Sequence, residues 1–580
     1  MRNETGTMER KVNTTAKLKK LVAQAMGVEK ADLAIRNVKI FHVTDGSVEE
    51  GDILVCGNVI ASLGTCCRGL AAKTEFDGKG LYALPGFIDA HSHIESSMLC
   101  PGEYEKWVLA HGITTGVCDP HELANVFGTA AWDYFIDCAD HMVMDLVVRL
   151  SSCVPATALE TSGAEISSGE IFSYLRKKHV SGLGEMMNVP GVLLRDEEVI
   201  NKLSFGAYVD GHAPLVSGNY LNAYIAAGVK NCHESSLLEE ALEKMRRGMG
   251  VLVREGSTAR NLDTLFPLIT LKNSPFLAFS TDDRNPVDVR ERGHMDGMIA
   301  HCIEKGADPL AVYRMATWSA ATILELPDRG ILSPGKRADI VLLSSLEKCR
   351  VEHTFAGGKH VEKALFDSRR IPPVPPSFLK SVKRPMVTLE DLAVRSSDWR
   401  GDVIGLIPGN LITKKIPCAL PEKDGFLYGD PEKDIQKLFV LERHGKNGNI
   451  GKGFVQGFGM RSGAIASSVG HDSHNLCVTG TNDEDIAMAA NLLIREGGGF
   501  SVVKEGKVLA FHPLPLGGLM SIAPLEEVLS SFENVLEKAK ETSCALEDPF
   551  MALAFLPLPV IPAIKLTDKG LVDVENFRFY

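Results

Sequence analysis

No two of the thirteen cysteines form a Cys-x-x-Cys pair; they are scattered along the 580 residues and read as reduced thiols of a cytoplasmic protein. No long Lys/Arg stripe occurs, and a formal net charge of −12 excludes the phosphate-neutralising surface that nucleic-acid binding requires. Apolar runs are short. The mildly basic stretch 17–26 is too brief and too interrupted for a signal segment or a membrane span, and predicts a short surface helix instead. Internal repeats and low-complexity tracts are absent. Two kinds of motif start and do not finish. His121-Glu122 and His233-Glu234 each begin a metalloprotease HExxH, but Asn125 and Leu237 stand where the second histidine belongs. Gly457-Phe458-Gly459 and the Gly-rich stretch 448–452 complete neither a Rossmann fingerprint nor a Walker loop, which leaves a nucleotide cofactor without support.

What is present is a series of polar residues at the ends of short apolar runs. Pro85-Gly86 leads into Phe87-Ile88-Asp89-Ala90 and then His91-Ser92-His93. Side chains alternate along a strand, so His91 and His93 point the same way and offer two imidazole nitrogens to one cation. A lone His-x-His is a weak signal; the later positions strengthen it. Glu185 follows Val180-Ser181-Gly182-Leu183-Gly184, and His212 follows 207–211 and precedes Ala213-Pro214, where its strand must stop. His233 follows Val229-Lys230-Asn231-Cys232, and Ser236-Leu237-Leu238-Glu239 has the form of a capping box opening a helix over 237–247. Asp282 and Asp283 follow the apolar run 276–281. Cys232 reads as a small buried residue rather than a soft ligand. Strands alternating with helices imply a parallel sheet, and strand C-termini are where α/β barrels gather their chemistry.

The order His-x-His, mid-chain carboxylate, His, His, Asp resembles the amidohydrolase superfamily of metal-dependent (β/α)8 barrels. Five strings together are similar to its bacterial and archaeal adenine deaminase family: 84–97, Asp119-Pro120-His121-Glu122, Gly184-Glu185-Met186-Met187-Asn188, Asp210-Gly211-His212-Ala213-Pro214 and Cys232-His233-Glu234-Ser235. The resemblance covers nearly the whole chain, including a C-terminal region most amidohydrolases lack. It implies an α/β fold: a TIM-like barrel over 86–332, a small composite β-sandwich from 31–85 and 333–370, and a C-terminal α+β domain over 391–580. An N-terminal helical extension (1–30) and a stiff Pro-rich linker (371–390, with Ile371-Pro372-Pro373-Val374-Pro375-Pro376) complete the division. The C-terminal region opens a clear helix at Thr481-Asn482-Asp483-Glu484-Asp485, with Ile486, Ala489, Ala490 and Leu493 on one face and Gly497 to stop it.

The resemblance further implies two divalent metals, Mn(II) or Fe(II) by preference and Zn(II) as an alternative, held by His91, His93, Glu185, His212, His233 and Asp282. Glu185 stands where many relatives carry a carboxylated lysine, and its two oxygens can bridge two cations. The implied reaction is hydrolytic deamination of adenine by a hydroxide activated at that centre, giving hypoxanthine and ammonia in purine salvage. Asp282 is placed to carry the water proton to the leaving amine; Glu234, or alternatively Glu122, would protonate the ring. Glu122 also reads as a first-turn helix carboxylate, and Asp283 as a one-residue alternative to Asp282. Asp119, His121, Asp283, His471 and His474 are candidates for substrate contact, the last two in a polar loop, Gly470-His471-Asp472-Ser473-His474-Asn475, reaching over the barrel mouth. His93-Ile94-Glu95 matches half of the zinc nucleobase-deaminase motif, but no Pro-Cys-x-x-Cys follows, so the same chemistry would run on a different fold. Competing readings are hydrolysis of a cyclic amide or imide, and a non-catalytic interaction protein that would be free to lose the six positions. A homo-oligomer is expected.

Overall fold

Eight parallel strands close on themselves in the computed structural model, which describes residues 4–580 apart from 258 and 408, with side chains from residue 15 onward. They are Phe87–Ser92, Ile113–Cys118, Asp145–Leu150, Val180–Met186, Val209–Gly211, Asn231–Cys232, Gly250–Arg254 and Leu277–Ser280. The first five pair in order, as do the last three. Lys230 N–H donates to Val209 O at 3.0 Å across the fifth and sixth strands. At the other seam, Asp282 N–H donates to His91 O at 3.0 Å and His93 N–H donates to Asp282 O at 3.2 Å, so the first and last strands meet at the two metal-ligand candidates themselves. Every residue of the first, second and seventh strands is buried, because helices cover the barrel outside and side chains fill it inside.

Strands on both sides of the barrel in sequence join one eight-stranded sheet. Its central strand, Ala31–Phe41, shifts register between Ile35 and Val38; the first half pairs with Ala72–Asp77 and the second with Tyr82–Pro85. Residues of both arms, among them Ile35, Ile53, Ile60, Ile340 and Phe355, share a single apolar core. The N-terminal helix is longer than the short surface helix expected: Glu4–Ala25 runs 22 residues, and Leu21 and Ala25 settle on Ala34 and Leu54 of the sheet. No helix among the described residues is long and apolar enough to cross a membrane.

A second eight-stranded sheet forms the C-terminal region. Helix Asp483–Glu496 begins where Asn482 accepts the Asp485 N–H, and ends at Gly497, whose φ of 88° is the left-handed turn a glycine supplies without a Cβ clash. Its buried face is the predicted one, Ile486, Ala489, Ala490 and Leu493. The Pro-rich stretch differs from a free spacer. Phe378 stacks on Phe127 of the barrel at 4.2 Å and 3°, and its carbonyl accepts the Gly517 N–H at 2.8 Å, so the segment is a strap tying the two large units together. Further bonds cross the same junction: Ser521 N–H to Met98 O at 2.7 Å and Thr567 Oγ1 to Leu159 O at 2.7 Å.

Candidate metal centre

The C-terminal ends of the barrel strands bring His91, His93, Glu185, His212, His233 and Asp282 into one buried cluster. His91 and His93 share a direction as strand alternation requires, their Nε2 atoms 3.1 Å apart. His93 Nδ1–H donates to Asp119 O at 2.9 Å, which fixes the tautomer and turns the Nε2 lone pair inward. His233 stacks on His91 at 4.1 Å and 11°. His212 is held from behind: its N–H donates to Tyr224 Oη, and Tyr224 donates to Met186 O at 2.6 Å. Asp282 adopts φ 56°, a left-handed backbone that aspartate tolerates better than most residues and that aims its carboxylate at the histidines.

Glu185 lies between two groups of nitrogens. Its Oε1 is 3.4 Å from His93 Nε2 and 4.0 Å from His91 Nε2; its Oε2 is 2.5 Å from His212 Nδ1 and 3.2 Å from His233 Nε2. Asp282 Oδ1 completes the first group, 3.5 Å from His91 and 3.2 Å from His93. Burial drives the Glu185 carboxyl upward, but His212 and His233 outweigh it and hold the group well below the ordinary carboxylate range. Asp119 secures Glu185 rather than facing the centre directly: its Oδ2 accepts the Glu185 N–H at 2.9 Å and its Oδ1 accepts Ser151 Oγ–H at 2.9 Å. Gly184 makes that possible, since a Cβ there would collide with the Asp119 carboxylate.

Converging imidazole nitrogens and carboxylate oxygens, with the His93 tautomer fixed from outside, form a donor set suited to divalent cations. Cys232 is occupied elsewhere, its sulfur accepting the Ala213 N–H at 3.4 Å and Lys244 Nζ at 3.3 Å. Asp283 turns away from the cluster to accept Ser96 Oγ–H, while still lining the cavity.

Glu234 is bound by a residue that motif reasoning missed. Arg254, at the end of the seventh strand, donates through Nη1 and Nη2 to the two Glu234 oxygens, the Nη2–Oε2 distance being 2.9 Å. The same Nη1 lies 3.0 Å from Asp282 Oδ2, and Nε donates to Asn261 Oδ1 at 3.2 Å. Burial alone would raise the Glu234 carboxyl; Arg254, with His212 and His233, keeps it below its usual value. Arg254 closes the apolar run 250–254 at a strand end like the others, so a search for cations as well as ligands at those positions finds it.

Glu122 starts helix His121–Phe127, as expected of a first-turn carboxylate, but it serves no cap; it meets His121 at 3.2 Å, His471 at 2.8 Å and His474. His121 Nδ1 is also 3.4 Å from Glu185 Oε1. The loop 470–475 therefore does reach the barrel mouth. With it come Leu411, Phe555, Leu558 and Ile561, which wall a cavity of about 450 Å³, part of it open to solvent. These four lie in the C-terminal region and carry no chemical motif. One local expectation fails: helix Leu238–Arg246 has Leu237 at its N-cap without a side-chain cap, because Glu240 rather than Glu239 turns back, accepting the Ser236 N–H at 3.2 Å and Lys244 Nζ at 2.8 Å.

Residues 82–361 match the amidohydrolase family, and residues 410–578 match the adenine deaminase C-terminal domain. The chain is 50% identical over 561 residues to the adenine deaminase of Gluconobacter oxydans (strain 621H), covering 96% of this chain and 98% of that one. It is 49% identical over 566 residues to the adenine deaminase of Methylobacterium nodulans, covering 97% and 99%. With a barrel whose strand ends gather a metal-ligand set, a C-terminal region that walls its mouth, and similarity at this level along nearly the full length of both relatives, the chain belongs to the adenine deaminase family of metal-dependent amidohydrolases.

Proposed function

We propose that the protein hydrolyses adenine to hypoxanthine and ammonia with two divalent metal ions at the barrel mouth. The observation that carries this reading is the position of Glu185, whose Oε1 lies nearest His93 and whose Oε2 lies nearest His212 and His233. His91, His93, Asp282 and Glu185 Oε1 would hold one ion; His212, His233 and Glu185 Oε2 the other. Imidazole and carboxylate donors without thiolate suit Mn(II) or Fe(II), with Zn(II) as the alternative. The ions, when bound, supply an activated water as nucleophile.

The remaining steps belong to side chains. Asp282 and Glu234 are both held ionised, so each can accept a proton before giving one up. Asp282, beside the first nitrogen group, takes the water proton and returns it to the departing amine. Glu234, 3.8 Å from His212 Nδ1 and 3.7 Å from His233 Nε2, takes up a proton from solvent, delivers it to ring atom N1, and regains one from the C6 hydroxyl as the carbonyl forms. Glu122 is the weaker choice for that role, since three histidines already engage it. Water adds at C6 and the C6–N bond breaks, so adenine and water leave as hypoxanthine and ammonia. Phe555, Leu558 and Ile561 offer an apolar wall for the ring, with Asp283 and His471 at its polar margin; His474, expected to touch substrate, lines a second cavity instead.

An acidic cyclic amide is less well served, because Arg254, the guanidinium lining this cavity, is fully engaged by Glu234 and Asp282. We divide the chain as a helical extension (1–30), a composite β unit (31–85 with 333–370), the barrel (86–332), the strap (371–390) and the C-terminal domain (391–580), supported by the strand pairings. We place the protein in the cytoplasm, a compartment that suits its thirteen free cysteines, and its reaction in purine salvage.

The test is ammonia release from adenine, adenosine and cytosine by protein reconstituted anaerobically with Mn(II) or Fe(II), beside Glu185→Gln. Turnover of adenine alone, lost in the variant, is the expected result. No turnover of any base with two metals bound would overturn the reading.

A further inference from the structure

A second group of metal-ligating side chains lies next to the first and outside the six positions assigned to it. His121, Glu122 and Asp472 present one nitrogen and two carboxylate oxygens within 4.8 Å of one another, all buried. His471 enters the same space. Its Nδ1 is 2.8 Å from Glu122 Oε1 and 3.6 Å from Asp472 Oδ1, while His121 Nε2 is 3.2 Å from Glu122 Oε1 and 3.9 Å from Asp472 Oδ1. For metal–donor bonds of about 2.1 Å, adjacent donors stand roughly 3.0–3.4 Å apart in octahedral or tetrahedral arrangements. Of the four measured spacings the His121–Glu122 one falls inside that range, and the others lie within about 0.5 Å of it.

Two further observations point to a ligand. Glu122 Oε2 and Asp472 Oδ2, one oxygen of each carboxylate in the group, are buried without hydrogen-bond partners. Buried polar groups in native proteins are satisfied by protein, water or an ion, so these two carboxylate oxygens have capacity for a cation. The cluster is also reachable: Glu122 and His471 border both the barrel cavity and a second cavity lined by Met98, Phe500, Phe532 and Phe550.

We propose that His121, Glu122, His471 and Asp472 form a third divalent-cation site, separate from the barrel centre, that fastens the C-terminal loop to the barrel. Its two-nitrogen, two-oxygen donor set suits Zn(II) or Fe(II) and admits Mn(II), ahead of Ca(II) or Mg(II), which take all-oxygen ligands. The site joins residues about 350 positions apart in sequence: two from the helix after the second barrel strand and two from the loop that covers the mouth. A cation there holds His471 against Phe555, on which it stacks at 4.3 Å and 7°, and so sets one wall of the substrate cavity.

The experiment is crystallography of the full-length protein loaded with Mn(II), with anomalous diffraction at the manganese edge, together with metal content by mass spectrometry. The expected result is a peak bonded to His121 Nε2, Glu122, His471 Nδ1 and Asp472, and about three metal equivalents per chain. His471→Asn and Asp472→Asn should each bind one equivalent fewer while the peaks beside Glu185 persist. No peak among the four residues in crystals whose barrel centre is fully occupied would overturn the proposal and leave them as an ion-paired network. Loss of the barrel peaks with the third retained would instead count against the two-metal centre, so the two readings fail separately. Hydrogen exchange in residues 470–475 supplies the second readout: chelation should speed it at least tenfold in the parent and leave the His471→Asn variant unchanged.

Discussion

Arg254 binds Glu234 through both of its terminal nitrogens and reaches Asp282 with one of them, so a single buried guanidinium orients the two carboxylates proposed to move protons. A lysine would preserve the charge and lose the planar fork, so it could not make the paired contact to both Glu234 oxygens while also reaching Asp282. Arg254→Lys is therefore expected to lower kcat by about 10²-fold with metal content unchanged, the scale of a mispositioned acid–base pair. Steady-state rates on metal-loaded protein check it. A variant that melts at lower temperature yet turns over adenine at the parental kcat would reduce Arg254 to a structural cation.

Which parts of this arrangement the chain announces follows from what each residue must do. The six ligand candidates are legible because a barrel places its chemistry at strand ends, and His, Glu and Asp after an apolar run are visible one strand at a time. Asp282 is distinguishable from Asp283 only in three dimensions: the seam between the first and last strands aims one at the histidines and lets the other find Ser96. Arg254 hides because its local setting, an apolar run ended by a charge, is also that of an ordinary surface residue; its burial depends on partners from the sixth and eighth strands. Leu411, Phe555, Leu558 and Ile561 are unremarkable apolar residues whose role is set by how the C-terminal region docks. Register shifts and the strap likewise depend on contacts between distant segments, such as Phe378 on Phe127, that no local pattern encodes.

Four buried histidines around Glu185 and Asp282 make metal binding a contributor to stability. Ligand that binds only the folded state stabilises it by about 2.7 kcal/mol at one hundred times Kd. Removing metal with a chelator should lower the melting temperature, and Mn(II) should restore it in the parent. Glu185→Gln removes the charge proposed to bridge the two ions and is expected to abolish most of the recovery together with at least one bound equivalent, read by mass spectrometry. Equal recovery in parent and variant would mean that Glu185 is not shared between two ions.

Phe555 stacks on His471 and forms part of the apolar wall of the cavity. Truncating it removes an aromatic face against which a flat base can lie, a contact worth about 1 kcal/mol or more. Phe555→Ala should raise KM for adenine about tenfold and change kcat by less than about threefold, since the ring touches no reacting atom. Initial-rate measurements across adenine concentration separate the two parameters; a fall in kcat at constant KM would place Phe555 in the chemistry rather than in the wall.

Lys565 lies behind that wall, fully buried, and donates to Leu411 O at 2.9 Å and Phe555 O at 2.9 Å, with no carboxylate paired to it among the described residues. Burial pushes its pKa down from 10.5 to about 7. Between those two values the unfolded chain holds the proton and the folded chain has released it, so stability rises as pH goes from about 7 towards 10.5. Below about 7 both states carry the charge and the folded state bears an uncompensated buried ammonium. Lys565→Met removes that burden but strands two carbonyls, which offsets part of the gain. The variant should therefore be more stable than the parent near pH 6, by on the order of 1–3 kcal/mol, with the difference shrinking or reversing by pH 10. Thermal melts of both proteins across pH 6–10 decide it. A melting-temperature difference that stays constant over that window would show that the Lys565 proton is not linked to folding.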